Sequence, residues 1–394
     1  MPIGIDALSF YSPAYFLDLK NLAVARNVDP DKYIVGIGQE RMSLSPPDED
    51  VVTMGASAAR RILARDGTEG IELLLFATET GVDQSKAGAL FVHGLLDLPK
   101  RCRGVELKQA CYSGTAALQL ATAWVARNPG KRALIIASDI ARYDLRSPGE
   151  CTQGAGAIAL IVSETPRLLV IDPPSGYVAE DVMDFWRPNY REEALVDGPY
   201  STRVYLHTLT LAWQQYAALS KLGYRDHHRF CYHLPFTRIA MKAQSRLARE
   251  CGEPIPSEED LKRLIGDSLM YNRITGNTYT ASLYESLSAL LDTSIVSLDG
   301  LRVGLFSYGS GCMGEFFGGT VQPGYRSHLF AEEHRQMLDA RTELTLGQYE
   351  DIFNLMIPRD GEDHLFAQYR TGPFRLSGIS QHKRVYEELF SVAK

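Results

Sequence analysis

Apolar and polar positions alternate along the chain in a pattern that predicts strands and helices following one another. Short, nearly continuous apolar runs are typical of buried strands. These runs are Ile71–Glu79, Cys102–Ala110, Arg132–Ala141, Gly156–Glu164 and Arg167–Pro173. Helical spacing predicts helices over Val52–Arg65, Thr115–Arg127, Ser201–Leu222 and Arg238–Glu250. The repeated succession of strand, helix and strand predicts an α/β fold with parallel or mixed sheets.

The predicted helix over Thr115–Arg127 is apolar almost all round, which is typical of a helix inside a protein. We expect it to lie between two sheets. A second glycine-led helix of small residues follows at Gly276–Leu291, and Leu301–Gly311 reads as a strand that enters a glycine-rich loop. The similarity of the two patterns predicts a distant internal duplication.

The duplication divides the chain into an N-terminal half, 1–165, and a C-terminal half, 166–394. From about Tyr325 onward, charge, proline and isolated aromatic residues are mixed. We expect this part to form a peripheral helix and an irregular C-terminal tail.

Composition restricts the class of protein. The chain has 394 residues, of which 45% are hydrophobic and 23% charged, and a net charge of -7 argues against a general nucleic-acid partner. No apolar run approaches the ~20 residues that span a bilayer, and the first residues lack the pattern of a signal peptide. We therefore expect a cytoplasmic protein with no membrane partner.

The six cysteines are scattered and form no CxxC pair, so the sequence predicts neither a zinc ribbon nor a disulfide framework. They are Cys102, Cys111, Cys151, Cys231, Cys251 and Cys312.

Cys111 stands where an apolar run ends and a small-residue helix begins, in "KQACYSGTAALQLA". A helix N-terminus stabilises a thiolate through its dipole and unpaired amides, so we expect this thiol to have a lowered pKa and to act as a nucleophile. The alternative is an inert cysteine that packs in the core.

Glu79 and His233 are candidates for acid–base chemistry. Glu79 follows a buried strand, where apolar surroundings would raise the pKa of its carboxyl toward the working pH of a general base; the alternative is an exposed acid at a strand end. His233 lies in the aromatic stretch "FCYHLPF", and could equally be a hydrogen-bonded core histidine. A nucleophile, an acid and an imidazole together indicate covalent catalysis.

Two further motifs concern ligands. Arg238 and Lys242 have helical i, i+4 spacing, which places both cations on one face and suits a phosphate-bearing ligand, although such a face is often simply solvated. The loop "GSGCMG" at 309–314 satisfies GxGxxG, but "EFFGGTV" after it favours a strand over the helix that a dinucleotide site requires. We expect these glycines instead to bring backbone N–H groups close to a ligand carbonyl.

Several motifs in order along the chain resemble one family, the bacterial form of the 3-hydroxy-3-methylglutaryl-CoA (HMG-CoA) synthases. The resemblance extends from about residue 3 to 350 and rests on "ATETG", "KQACYSGTAAL", "GECTQGAGAIAL", "DFWRP", "YHLPFTR", "GNTYTASLY" and "FSYGSG". It implies a thiolase-like duplicated α-β-α-β-α five-layer fold, a homodimer, and no metal or redox cofactor.

The resemblance also assigns site residues. Cys111 would carry an acetyl group, Glu79 would be the general base and acid, and His233 would lie at the acetoacetyl carbonyl. Positions that contact the hydroxymethylglutaryl product would be Thr152, Ser201, Asn277 and Ser310. Positions that contact CoA would be Asp29, Pro30, Lys242 and Arg238, where animal members have lysine in place of Arg238. Residues that shape the pocket would be Tyr143, Asp184, Phe185 and Trp186.

The implied reaction condenses acetyl-CoA with acetoacetyl-CoA and water to HMG-CoA and CoA, in the mevalonate pathway. The Cys111 amide and an amide of the Ser307–Gly311 loop would stabilise the enolate. Two alternatives stay open. Polyketide β-branching synthases are similar, also favour "KQACYSGT", and act on acyl carrier proteins, although "MDFWRPNY" and "GIGQERM" look closer to the mevalonate members. A thiolase-like scaffold that binds acyl-CoA without catalysis is the other.

Overall fold

A computed structural model describes residues 2–389 of the chain, which form seventeen strands and eleven α-helices. The strands are β1 (Gly4–Tyr11), β2 (Tyr15–Asp18), β3 (Arg41–Leu44), β4 (Ile71–Ala77), β5 (Arg103–Leu107), β6 (Arg132–Ala141), β7 (Gly154–Ser163), β8 (Leu169–Ala179), β9 (Phe185–Trp186), β10 (Leu195–Val196), β11 (Arg229–Tyr232), β12 (Arg302–Gly309), β13 (Met313–Val321), β14 (Thr342–Glu343), β15 (His364–Leu365), β16 (Phe374–Ser380) and β17 (Lys383–Glu388).

The α-helices are α1 (Leu19–Ala25), α2 (Val51–Asp66), α3 (Gly88–Leu95), α4 (Ser113–Arg127), α5 (Gly198–Ser220), α6 (Arg238–Glu250), α7 (Glu258–Leu261), α8 (Asn272–Thr275), α9 (Ser282–Thr293), α10 (Ala331–Asp339) and α11 (Leu346–Asn354). Short π-helical segments occupy Lys32–Ile37 and Lys262–Gly266, and single 3₁₀ turns occur at Glu150–Thr152, Tyr224–Asp226, Asp267–Leu269, Tyr279–Ala281 and Tyr325–His328. None of the helices in the described range is long and apolar enough to cross a membrane.

Two similar sets of strands build the core. The first set runs β1-β7-β6-β4-β5, and the second runs β8-β13-β12-β11. In each set the first two pairings are antiparallel and the next is parallel. The sets join where Gly4 and Ile5 of β1 pair with β8, and a Cβ atom on Gly4 would overlap the Leu169 carbonyl oxygen. The repeated strand order is the internal duplication that the sequence predicts.

The helices form three layers around these strands. α2 and α3 cover the first set on its outer side, α5 packs on the outer side of the second set with α6 against it, and α4 and α9 lie between the sets. α4 and α9 share one apolar core with strands of both sets. The order is α-β-α-β-α, as predicted. The helix α4 is not buried all round, however, because Leu120 is 52% exposed and Ala123 is exposed as well.

The elements with the clearest apolar or helical patterns have the bounds that the sequence predicts. β6 and α6 occupy the predicted ranges, and the glycine-rich loop leads into β13, a strand, as expected. β8 continues well beyond the predicted end at Pro173, because an irregularity in its pairing with β13 accommodates the prolines. The division after residue 165 falls between β7 and β8 and stays a prediction.

The C-terminal part differs from the expected single helix and irregular tail. It contains α10, α11 and the hairpin of β16 and β17. The hairpin is ordered because Phe374 and Leu376 are fully buried and Arg375 forms an ion pair with the buried Asp48. These contacts are long-range, so the local pattern of the tail does not reveal them.

Candidate active site

The turn between β5 and α4 presents Cys111. Ala110, immediately before it, has a φ of 42°, a left-handed conformation that costs a residue with a side chain about 1–2 kcal/mol. The Ser113 hydroxyl holds this turn by donating to the Ala110 carbonyl at 2.9 Å and accepting from the Gln109 amide at 2.5 Å. Gly309 of the second half packs against the same turn, where a Cβ atom would lie 2.6 Å from the Tyr112 nitrogen.

Cys111 and Glu79 are in direct contact. Glu79 stands two residues beyond β4, and the Cys111 Sγ–H group donates to Glu79 Oε1 at 3.1 Å. Burial, together with the Glu79 carboxylate, raises the pKa of the Cys111 thiol well above its usual value. The expectation of a lowered thiol pKa is therefore wrong for the unliganded protein, because burial and the neighbouring negative charge outweigh the helix terminus. Burial and Asp139 raise the pKa of Glu79 to about 8, as expected for a general base.

Asp139 and Arg187 hold the Glu79 turn and were not identified from the sequence as residues of this site. Asp139, fully buried in β6, accepts from the Glu79 amide at 2.9 Å and from the Thr78 hydroxyl at 2.8 Å. It also binds the Thr280 amide of the second half at 3.1 Å. Arg187 donates to the Glu79 carbonyl, and its charge opposes the rise in the Glu79 pKa. The acid inside the apolar run "ALIIASDIA" was the available signal for Asp139.

His233 lies directly after β11 and is 2% exposed. Its amide donates to the Phe306 carbonyl at 2.8 Å, and its carbonyl accepts from the Tyr205 hydroxyl at 2.9 Å. Burial lowers the pKa of the imidazole to about 3, so the ring is neutral at neutral pH. Within residues 2–389 the buried Nδ1 atom has no hydrogen-bond partner. The structure thus brings Cys111 and Glu79 into contact, while no hydrogen bond in that range joins His233 to either.

A large cavity of about 740 Å³ adjoins the site; we call it the large cavity. It is lined by Tyr143, predicted to shape the pocket, by Thr152 and Ser201, predicted to contact the product, and by Tyr205, which binds the His233 carbonyl. Tyr143 connects the large cavity to the nucleophile, because its ring packs against Phe185, which in turn packs on the cluster that contains Cys111. Burial and the nearby Cys111 raise the pKa of the Tyr143 hydroxyl. The predicted Asn277 is buried beside this wall, and its backbone amide donates to the backbone carbonyl of Thr152 at 3.2 Å.

The glycine-rich loop reaches the nucleophile turn through Ser310, whose carbonyl accepts from Gln109 Nε2 at 3.2 Å. The Gly311 amide donates to Asp184 at 2.9 Å and so is not free to stabilise an oxyanion. Asp184 also accepts from the hydroxyls of Ser201 at 2.9 Å and Tyr308 at 2.6 Å. Within the loop, the Ser310 amide is therefore a better candidate than the Gly311 amide to donate a hydrogen bond to the oxyanion.

The predicted CoA-contact residues lie beside the large cavity. Arg238 and Lys242 are exposed at the start of α6, and the ammonium group of Lys242 is 5.9 Å from the ring centre of Phe236, a lining residue. Asp29 and Pro30 precede the π-helical segment Lys32–Ile37, whose last residue also lines the large cavity. The two segments are adjacent, since the Thr237 amide donates to the Gln39 side chain at 3.1 Å.

In the described part of the chain, no group of three or more histidine, cysteine or acidic side chains is arranged to hold a metal ion.

Comparison with known proteins identifies the family. A family model described as hydroxymethylglutaryl-coenzyme A synthase N terminal matches residues 1–166, and the corresponding C-terminal model matches residues 255–371. The chain belongs to the hydroxymethylglutaryl-CoA synthase family. It is therefore an acyltransferase-type condensing enzyme with the thiolase-like fold that its motifs predict.

Relatives and solved structures agree with this assignment. The chain is 39% identical to the hydroxymethylglutaryl-CoA synthase of Enterococcus faecalis, covering 98% of this chain and 100% of that protein. It is 33% identical to the polyketide biosynthesis 3-hydroxy-3-methylglutaryl-ACP synthase of Bacillus subtilis (strain 168), over 89% of this chain and 87% of that protein. A crystal structure of an HMG-CoA synthase complexed with CoA superposes with a TM-score of 0.93 at 40% identity, covering 99% of this chain and 100% of that one.

The raised pKa of the Cys111 thiol predicts how it reacts with iodoacetamide in the unliganded protein. We expect the alkylation rate at residue 111 to keep rising with pH beyond the range where an ordinary thiol, with a pKa of about 8.5, levels off. Peptide mapping by mass spectrometry measures this rate. Glu79→Gln, which removes the adjacent negative charge, should level off at lower pH. A wild-type rate that levels off below the pKa of free cysteine contradicts the assignment.

Proposed function

We propose that the chain condenses acetyl-CoA with acetoacetyl-CoA and water to give HMG-CoA and CoA, through an acetyl group carried on Cys111. The observation that carries this proposal is the partly buried contact between Cys111 Sγ and Glu79 Oε1. Family membership and the CoA in the similar crystal structure support CoA thioesters as substrates. The product is a precursor of mevalonate, which fits the pathway that the motifs imply.

In the first step Glu79, as its carboxylate, accepts the thiol proton of Cys111. The thiolate attacks the acetyl carbonyl, and CoA leaves as its thiol. The acetyl group is then a thioester, whose methyl protons are acidic enough for a positioned carboxylate to remove. Glu79 therefore serves twice, and its pKa of about 8 lies close to neutral pH, where a base can both take up and return a proton.

In the second step Glu79 removes a methyl proton, and the amides of Cys111 and Ser310 stabilise the enolate, an effect of about 3–4 kcal/mol for each such donor. The carbanion adds to the β-carbonyl of acetoacetyl-CoA. His233, held neutral by burial, donates a hydrogen bond to the new alkoxide, while protonated Glu79 is the more acidic source of its proton. These steps use only side chains and the two thioesters, so we propose no metal or redox cofactor.

Substitution of the central pair tests the mechanism. Cys111→Ser should take up no label from acetyl-CoA labelled in the acetyl group, because a hydroxyl lacks the nucleophilicity of a thiolate. Glu79→Ala should still be labelled at Cys111, but more slowly, because solvent must then accept the thiol proton, while the loss of the carboxylate lowers the thiol pKa. Its condensation rate should fall by about 10²–10⁴-fold. In the wild type, condensation should speed up as pH rises through about 8, because only ionised Glu79 is a base. Normal HMG-CoA formation by Glu79→Ala would contradict the base assignment.

The same condensation on an acyl carrier protein is the second candidate function, because the chain is also similar to the Bacillus subtilis ACP synthase. The exposed Arg238 and Lys242 suit the phosphates of either carrier. We expect turnover of acetoacetyl-CoA to exceed turnover of the same acyl group on a carrier protein, as measured by the release of labelled product at matched concentrations. Turnover of the protein-bound substrate alone would favour the carrier-protein reaction.

We propose in addition that the enzyme is a homodimer formed through β5 and α4. β5 ends the strand order of the first set and so has an unpaired edge. Val105 on this strand is 46% exposed, and Leu120 on α4 is 52% exposed. Val105 shares a face of β5 with Leu107, which packs on the core that includes α4. An exposed apolar surface next to an open strand edge is suited to a second copy of the chain.

Leu120→Asp tests the dimer. A buried, unpaired carboxylate at a symmetric interface is strongly unfavourable, so we expect this variant to elute as a monomer where the wild type elutes as a dimer, by size-exclusion chromatography with light scattering. Leu219→Asp is the matched control, because Leu219 is a similarly exposed leucine, at 59%, on α5. A dimer that Leu120→Asp leaves intact would exclude this surface.

A further inference from the structure

A second cavity reaches the catalytic pair from another direction. This polar cleft, of about 540 Å³, is lined by Glu79, Gln109, Ala110, Phe185, Arg187 and Asn189, among others. Lys108 and the ion-paired Glu192 and Arg359 also line it. None of the residues described as lining it also lines the large cavity. Glu79 and Ala110 thus face the polar cleft, whereas the large cavity approaches the site through Tyr143, which packs against Phe185.

An aromatic partition separates the two approaches. The Phe185 ring packs edge-on against Tyr143, with ring centres 6.3 Å apart, and against Tyr279 at 5.8 Å. Phe185 lines the polar cleft and Tyr143 lines the large cavity. Cys111 clusters with Phe185 and Tyr279 at this partition. The sulfur thus lies at the boundary, with Ala110 and Glu79 on the side of the polar cleft.

This inference rests on the proposed function. The two approaches matter for the last step of that reaction. After condensation, one end of the new acyl group is a thioester of Cys111 and the other end is still a thioester of CoA. In the proposed reaction the CoA arm lies in the large cavity, past Phe236 and toward Lys242. Water that hydrolyses the Cys111 thioester must reach its carbonyl carbon while that route is filled.

We propose that the polar cleft is the route by which water reaches the acyl-Cys111 thioester. The water oxygen bonds to the acyl carbon, the bond between that carbon and sulfur breaks, and the sulfur leaves as thiolate. One proton of the water passes to the Glu79 carboxylate and then to the sulfur, which restores the Cys111 thiol, while the released acid keeps the other. No oxidant or further reactant is needed.

The wall of the polar cleft suits water. Its side chains include three arginines, a lysine and several acids and amides, which supply the two to four hydrogen-bond partners that an ordered water requires. The wall of the large cavity, by contrast, includes Ile37, Pro148, Phe236 and Ile239, which suit an acyl or pantetheine chain. Arg187 lines the polar cleft and binds the Glu79 carbonyl, so the same wall holds the base that would activate the water.

Narrowing the polar cleft tests the route. Asn189 is exposed and lines the cleft, so Asn189→Trp places a large ring at its rim. Tyr190→Trp is the matched control, because Tyr190 is 82% exposed and is not among the lining residues. Lys108→Trp narrows the cleft at a second exposed lining residue. With labelled acetyl-CoA, rapid quenching measures labelling of Cys111. After acetoacetyl-CoA is added, later samples measure release of labelled HMG-CoA, which reports hydrolysis of the acyl-enzyme that carries the CoA arm.

We expect both narrowing variants to label Cys111 at the wild-type rate and extent, which also shows that they are folded, and to hydrolyse the acyl-enzyme at least about tenfold more slowly. Tyr190→Trp should match the wild type in both steps. Wild-type hydrolysis in both narrowed variants overturns the polar cleft as the water route while leaving the proposed function intact. A wild-type enzyme that takes up no label would instead overturn the proposed function.

Discussion

A thiol and a carboxyl in direct contact, and largely shielded from water, impose the constraint on which this site depends. Cys111 and Glu79 share a hydrogen bond of 3.1 Å, and burial penalises a negative charge on either group. A proton that leaves one is therefore best taken by the other, rather than by solvent. The surrounding structure serves this exchange: Asp139 fixes the Glu79 backbone, Arg187 limits the rise in its pKa, and the Ser113 hydroxyl holds the turn before α4.

Both halves of the duplicated fold contribute to this arrangement, in different roles. The first half supplies the nucleophile and the base at the ends of its strands. The second half supplies His233, the glycine-rich loop that carries Ser310, and Thr280, which donates to Asp139. Duplication thus gives two frameworks whose strand ends face one another, and divergence gives each a separate chemical task.

The sequence predicts much of this organisation because the strongest signals are local. β6 and α6 have the predicted bounds, since an uninterrupted apolar run and a sharply two-faced helix leave little choice. The pairing of Cys111 with Glu79 follows from strand ends and from the family motifs. The direction of the thiol pKa shift is not predictable in this way, because the helix terminus is a local feature whereas burial and the Glu79 charge come from tertiary contacts.

Other features lie beyond local patterns for the same reason. Asp139 is far from Glu79 along the chain, and only the pairing of β4 with β6 brings the two together. The C-terminal hairpin is ordered by two buried apolar residues and one ion pair to Asp48, which the mixed composition of the tail conceals.

The close fit of Gly309 against the nucleophile turn restricts which substitutions that position tolerates. Any side chain at that position would push on Gln109 and Tyr112 and so displace the sulfur between them. A change at Gly309 would therefore require a matching change in the nucleophile turn of the other half. The two halves are sterically coupled at this contact, although they supply different groups to the site.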